Sequence, residues 1–100
     1  MVRLAIVYPH GNRFDMDYYI NRHMAGAHQL LASYGLVKVE VDRPVDKAPY
    51  ACIGYLYFDS LDGLQRGMAA NSGQLIADVP NYTDVEPQLQ IGEVVEVAPV

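Results

Sequence analysis

The sequence predicts an α+β fold in the order βαββαβ, a four-stranded antiparallel sheet with two helices on one face. Three observations lead there. Four stretches, beginning at Val2, Leu36, Tyr50 and Leu89, alternate apolar and polar residues or carry the β-branched and aromatic residues of strands. Two longer stretches, after Phe14 and after Ser60, repeat apolar residues at steps of three and four. Turn residues mark the junctions between them: Pro9–Asn12, Gly35, Arg43–Pro49 and Pro80–Asp84. One hundred residues make one domain, spanning 1–100. A chain of that size buries only about two-thirds of its unfolded surface, so a subunit contact would add stability.

The first strand runs from Val2 to Tyr8. Val2, Leu4, Ile6 and Tyr8 face one way, and Arg3, Ala5 and Val7 the other. A helix follows from Asp15 to Tyr34. Asp15 suits the N-cap, because its carboxylate can accept from the unpaired amides of the first turn. Asp17 complements the positive end of the helix dipole. The apolar stripe runs through Met16, Tyr19/Ile20, Ala27, Leu30/Leu31 and Tyr34, and His23 falls on it. Gly26 inside the helix implies either a close packing contact or a break after Met24, since glycine costs roughly 1 kcal/mol there relative to alanine. Gly35 is placed to close the helix in the left-handed conformation.

The second strand, Leu36–Asp42, sets Val37, Val39 and Val41 against Lys38, Glu40 and Asp42, as on a sheet edge. The third, Tyr50–Phe58, has Cys52, Leu56 and Phe58 on one face and Ile53, Tyr55 and Tyr57 on the other. Both of its faces are apolar, so both are expected to be covered. Ser60 caps a second helix through Leu61, Leu64 and Met68, which Asn71-Ser72-Gly73 is expected to end. Leu75–Val79 forms one short extra turn, and Pro80–Asp84 a loop. The last strand runs from Leu89 to Val97, with Leu89, Ile91, Val95 and Val97 on one face. This order is the ferredoxin-like split-βαβ arrangement. The chain holds no third layer for the outer face of its sheet. A second copy of the same sheet is the economical cover, giving a C2 homodimer.

Composition excludes several classes. The formal charge is −5, and the seven basic residues are scattered, which argues against a nucleic-acid surface. No apolar run approaches the ~18 residues of a membrane span. Val2–Tyr8 alternates like a strand and is unlike a secretory leader. Cys52 is the only cysteine, so neither an internal disulfide nor a cysteine-based zinc site can form. These features point to a cytoplasmic protein.

His23 is the most informative position. It is either a core histidine satisfied by a hydrogen bond or a base at the wall of a pocket. Tyr18 and Tyr19 lie within one turn of it, and Asp78 and Tyr82 flank a polar loop that must pack near the helices. A neutral imidazole in an apolar pocket can act as a general base when a carboxylate orients it. Metal binding is not expected. His23 and His28 are five apart and diverge around a helix, as do Asp15 and Asp17 at a spacing of two. His10 reads as solvated loop, and Cys52 as a buried structural thiol without a basic neighbour. Residues Asp78–Asp84 read either as a turn that caps its own backbone or as the end of a pocket lined by Asp78 and Tyr82. Tyr50, Tyr55 and Tyr57 are assigned to core or dimer interface, with one or two on the pocket wall.

Two stretches carry a family resemblance. They are Phe14-Asp15-x-Asp17-Tyr18-Tyr19-x-x-x-His23-Met24 and Asp78-Val79-Pro80-Asn81-Tyr82-Thr83-Asp84 with Pro87. Together with Tyr50-Ala51 through Phe58-Asp59-Ser60-Leu61 and Gln90-Ile91-Gly92-Glu93, they resemble the EthD family, named for ethyl tert-butyl ether degradation. The resemblance covers nearly the whole chain. It implies the dimeric α+β barrel superfamily, with a pocket between sheet and helices. It also implies ligand-binding roles for Tyr19, His23, Asp78 and Tyr82, with His23 and Asp78 as the catalytic candidates. The chain departs from the family in having Ala25 where members commonly carry proline, which implies a helix that runs on more smoothly.

The founding members of this family accompany a cytochrome P450 system that attacks ethers, with no agreed chemical role. The superfamily also holds cofactor-free monooxygenases, isomerases, cyclases and haem enzymes, so fold does not choose among them. The expected function is a small-hydrophobic-molecule binding or accessory protein in the catabolism of organic compounds, with no cofactor. The alternative is a cofactor-independent isomerase, cyclase or monooxygenase. There His23 abstracts a proton, Asp78 orients it, and a tyrosine holds the oxyanion.

Overall fold

Strand β1 (Val2–Tyr8) sits inside the sheet. In the computed structural model, which describes residues 1–99, it pairs antiparallel with β3 (Cys52–Phe58) on one side and β4 (Gln88–Glu93) on the other. Strand β2 (Leu36–Asp42) pairs with β3, giving the order β2-β3-β1-β4. Both helices lie on one face. Leu4, Ile6, Leu56 and Phe58 of the sheet meet Met24, Ala27 and Leu31 of the first helix and Leu64 of the second in one core. Burial of each such leucine contributes about 1.5–3 kcal/mol.

Register explains the strand ends. Tyr8 is the last residue of β1 and pairs with Cys52, so β3 begins there and not at Tyr50. At the other end Val2 pairs with Glu93. The amide of Val94 still reaches the carbonyl of Met1 at 2.9 Å, but no strand remains for the residues beyond. Hence β4 stops at Glu93 instead of Val97, and Val95 and Val97 are exposed. In β2 an irregularity between Leu36 and Lys38 turns Val37 outward, leaving Leu36, Val39 and Val41 against the core.

The first helix is composite. An α-helical turn at Met16–Tyr18 leads into a π-helical stretch, Tyr19–Met24. An α-helix at Ala25–Leu31 and a 3₁₀ turn at Ala32–Tyr34 complete it. Asp15 caps it by accepting from the amide of Tyr18 at 3.0 Å, and Gly35 ends it at φ 86°. The backbone stays helical through Ala25. Gly26 has open space where a Cβ would stand, so close packing does not account for it. The irregularity is the wide π turn just before it, of a kind often found at functional sites.

The second helix runs unbroken from Leu61 to Asp78. Ser60 caps it through the Gly63 amide at 3.0 Å. Asn71-Ser72-Gly73 does not end it. The Asn71 amide group donates back to the carbonyl of Gly67, and Ser72 and Leu75 face the sheet side. The expected extra turn is therefore the last part of this helix, followed by a 3₁₀ turn at Val79–Asn81. At Gly63 a Cβ would run into the carbonyl of Tyr34, so the two helices approach closely there.

The outer face of the sheet carries Arg3, Ala5 and Val7 beside Ile53, Tyr55 and Tyr57, as the alternation implies. It is less bare than the sequence suggests. The Arg3 guanidinium lies 4.8 Å from the Tyr55 ring centre, and the Lys38 ammonium 4.5 Å from that of Tyr57. No helix among the described residues is long and apolar enough to cross a membrane.

Candidate functional site

Two loops far apart in sequence are tied together at one end of the sheet. The amide of Asp15 donates to the carbonyl of Tyr82 at 2.8 Å, and the Thr83 hydroxyl to the carbonyl of Arg13 at 2.9 Å. The Asp84 carboxylate accepts from the amides of Asn12 and Arg13, and the Arg13 side chain donates to the carbonyl of Pro80. The start of the first helix and the end of the second are thus held in a fixed relation. His23, on the π turn, meets Tyr82 and Asp78 as a result.

The polar contacts form a chain. His23 Nδ1 is 2.9 Å from Asp78 Oδ2. An ionised carboxylate only accepts, so Nδ1 carries the hydrogen, and in the neutral ring the lone pair is on Nε2. Nε2 is 3.4 Å from the Tyr82 hydroxyl, long for an O–H···N bond. The Tyr82 and Tyr8 hydroxyls are 2.8 Å apart. On its other oxygen Asp78 accepts from the Tyr18 hydroxyl at 2.7 Å and the Asn81 amide at 2.8 Å.

Asp78 is the last residue of the second helix, where the dipole disfavours an anion. Burial also acts to raise its pKa. The hydrogen bonds from Tyr18, Asn81 and His23 outweigh burial and hold the carboxyl below its ordinary value. Tyr8 and Tyr82 are pushed well above the ordinary phenol value, chiefly by burial, and are neutral at working pH.

An apolar cavity of about 120 Å³ lies between the sheet and the helices. Leu4, Ile6 and Tyr8 form its floor, and His23, Met24 and Ala27 one wall. Met68, Leu75 and Tyr82 also line it. His23 and Leu75 face a second, polar groove outside, which also holds Asp78, Arg22 and Asn81. His23 therefore stands in the partition. Nε2 lies on the side of Tyr8 and Tyr82, which line the cavity, and Nδ1 on the side of Asp78, which lies in the outer groove. The arrangement can take a proton from a buried molecule and stabilise the resulting imidazolium.

The four residues singled out in the sequence meet here, but in different roles. His23 and Tyr82 line the cavity. Asp78 does not; it supports His23 from outside. Tyr19 is fully buried behind His23, its ring stacked on the imidazole at 5.5 Å between centres, and it is not a wall residue. Its hydroxyl has no hydrogen-bond partner among the described residues. Gly54 makes room for it, since a Cβ there would collide with the Tyr19 hydroxyl. None of Tyr50, Tyr55 or Tyr57 lines the cavity, contrary to expectation, because Tyr55 and Tyr57 alternate onto the outer face of the sheet. The sequence reading missed Tyr8 and Asn81. Tyr8, as the last inward residue of β1, was legible as a position at the loop end of the sheet.

Cys52 is buried, and burial pushes its thiol up to about 12, so it is no nucleophile at neutral pH. His10 Nε2 donates to the carbonyl of Ala48 at 2.8 Å, on the surface away from the cavity. Among the described residues no three His, Cys, Asp or Glu side chains converge as metal ligands would.

Residues 12–86 match the family model of the EthD domain. An EthD-like protein from Ralstonia eutropha JMP134 superposes with a TM-score of 0.86 at 27% identity, over 97% of this chain and 95% of its own. An ethyl tert-butyl ether degradation family protein from Bacillus halodurans C-125 gives 0.68 at 22% identity, over 95% and 99%. SnoaB, a cofactor-independent oxygenase from Streptomyces nogalater, gives 0.68 at 13% identity, over 99% and 96%, a likeness of fold alone. No curated protein sequence matches the chain.

Proposed function

This chain belongs to the EthD domain family, and from that premise we propose that it is a cofactor-independent enzyme. It holds a small hydrophobic organic molecule in the cavity and removes a proton from it with His23. The observation that carries the reading is the 2.9 Å bond between His23 Nδ1 and Asp78, in a ring whose other nitrogen lies toward an apolar cavity. An acidic C–H or O–H of the ligand gives its proton to Nε2. The electron pair stays on the ligand as a delocalised anion. The imidazolium keeps its Nδ1–H bond to the Asp78 carboxylate, and the neutral hydroxyls of Tyr82 and Tyr8 are donors within reach of an anionic oxygen. The same fold in a cofactor-independent oxygenase is consistent with this chemistry.

A second reading keeps the cavity without the chemistry, as a binding or accessory protein in the catabolism of organic compounds. It is favoured by the scarcity of polar groups on the wall, which suits holding better than turning over. Both readings take the protein as a cytoplasmic homodimer, paired through the outer face of the sheet.

Benzisoxazole separates them, because its ring opens once a base removes one C–H proton, with cleavage of N–O and release of a cyanophenolate. Proton abstraction by His23 predicts ring opening at least about 10²-fold faster than in the His23→Ala protein. Equal rates in the two proteins, with benzisoxazole bound in both, would leave only the binding role.

A further inference from the structure

The cavity alone is too small for most organic ligands. At about 120 Å³ it is below the ~150 Å³ that encloses a benzene, and ligand pockets commonly span ~300–1,000 Å³. It is not closed, however. Leu4, Met68, Ser72 and Leu89 line both the cavity and a larger apolar groove of about 570 Å³ between the second helix and β4. Leu64 and Ile91 continue that groove. Leu89 and Ile91 pair with Ile6 and Leu4 and so share the helix-side face of the sheet, yet they are 61% and 50% exposed. The second helix does not reach over them.

The two ends of this track differ in chemistry. Tyr8, His23 and Tyr82 supply polar atoms at one end of β1. Leu4 marks the other end, four residues or about 13 Å along the strand, where the groove is apolar apart from Gln65 and Ser72. A ligand of benzene size or larger, with its polar group at His23, overruns the cavity, and the gap past Met68 and Leu89 opens into the groove.

We propose that the groove between the second helix and β4 is a subsite for an apolar tail. The ligand is then an elongated amphipathic molecule. A compact, uncharged head with one O–H or activated C–H sits at His23, and an unbranched or para-substituted apolar tail lies against Leu64, Leu89 and Ile91. This rests on the cavity reading above. It adds a specificity rule: substituents opposite the polar group have the groove to enter, whereas substituents beside it meet the wall that holds Met24 and Ala27.

The test uses phenol and the 4-alkylphenols from methyl to hexyl, with 2-butylphenol as the isomer control, titrated into the full chain by NMR and calorimetry. Affinity is expected to rise with tail length, by at most roughly fourfold per methylene. 2-Butylphenol should bind more weakly than 4-butylphenol, and the tail methyl should show NOEs to the side chain of Ile91. Ile91→Lys, at a half-exposed position that tolerates a charge, should flatten the length dependence. Phenol binding with no length dependence would overturn the tail subsite while leaving the cavity intact. No binding by any member would overturn both. Ile91 and Leu89 methyls already protected in the free protein, with tail affinity falling as protein concentration rises, would mean that a second copy fills the groove, and would also overturn the proposal.

Discussion

His23 and Asp78, fifty-five residues apart in sequence, are joined by a 2.9 Å hydrogen bond through the partition between an apolar cavity and a polar outer groove. The carboxylate fixes which ring nitrogen faces the cavity with a lone pair. Asp78→Ala should release that choice. Long-range nitrogen–proton NMR is expected to find the Nδ1–H tautomer in the wild type and a substantial Nε2–H population in the variant. The unpartnered ring, 7% exposed, should also cost roughly 1–3 kcal/mol of stability. An unchanged tautomer would mean that Asp78 does not orient His23.

Acid should act on the same carboxyl. Its folded pKa is held below the ordinary value of about 3.9, so the native state binds protons less readily than the unfolded chain. The resulting stability is present above the unfolded value and is lost as pH falls through the folded one. Urea midpoints measured from pH 7 to pH 2 should fall less steeply at the acid end in Asp78→Asn than in the wild type. Parallel acid limbs in the two proteins would contradict this assignment.

Tyr8 and Tyr82 share a buried 2.8 Å hydrogen bond. Tyr82→Phe alone should destabilise by about 1–3 kcal/mol, because it strands the Tyr8 hydroxyl. Replacing both with phenylalanine should cost less than the sum of the single changes, since no orphaned hydroxyl remains. A double-mutant cycle from chemical denaturation reads the coupling directly. Strict additivity would show the bond to be energetically silent.

Gly54 is predicted to be required for full stability for a reason outside its own strand. A Cβ there meets the Tyr19 hydroxyl, and Tyr19 stacks on His23. Gly54→Ala should cost on the order of 1–3 kcal/mol through overpacking and shift the His23 ring resonances. Tyr19→Phe combined with Gly54→Ala should recover part of the loss, because the phenol oxygen that obstructs is gone.

The homodimer is tested on its own face. Val7 and Ile53 are register partners on the outer side of the sheet and half-buried already in the single chain. Ile53→Asp should give a monomer in sedimentation, with the far-ultraviolet spectrum retained. A variant that dimerises as tightly as the wild type would move the interface elsewhere.

Local patterns in the chain specify the order of elements, the inward face of β1 and β3, the caps at Asp15 and Ser60 and the closing turn at Gly35. Each follows from local periodicity or from the conformational preference of one residue. The same patterns bring His23 to notice, because a titratable ring on an apolar stripe is a local anomaly. Tertiary structure decided where strands stop, since a strand ends when its partner does. Pairing limits placed the ends at Cys52 and Glu93, and the apolar valines after Glu93 carried no information about that. It carried the second helix through Asn71-Ser72-Gly73, where contact with the core offsets a weak propensity. It sorted the four polar candidates into cavity wall, outer support and buried backing. That sorting depends on where two loops dock, through contacts such as Asp15 to Tyr82 that span most of the chain, and no local pattern encodes a contact of that range.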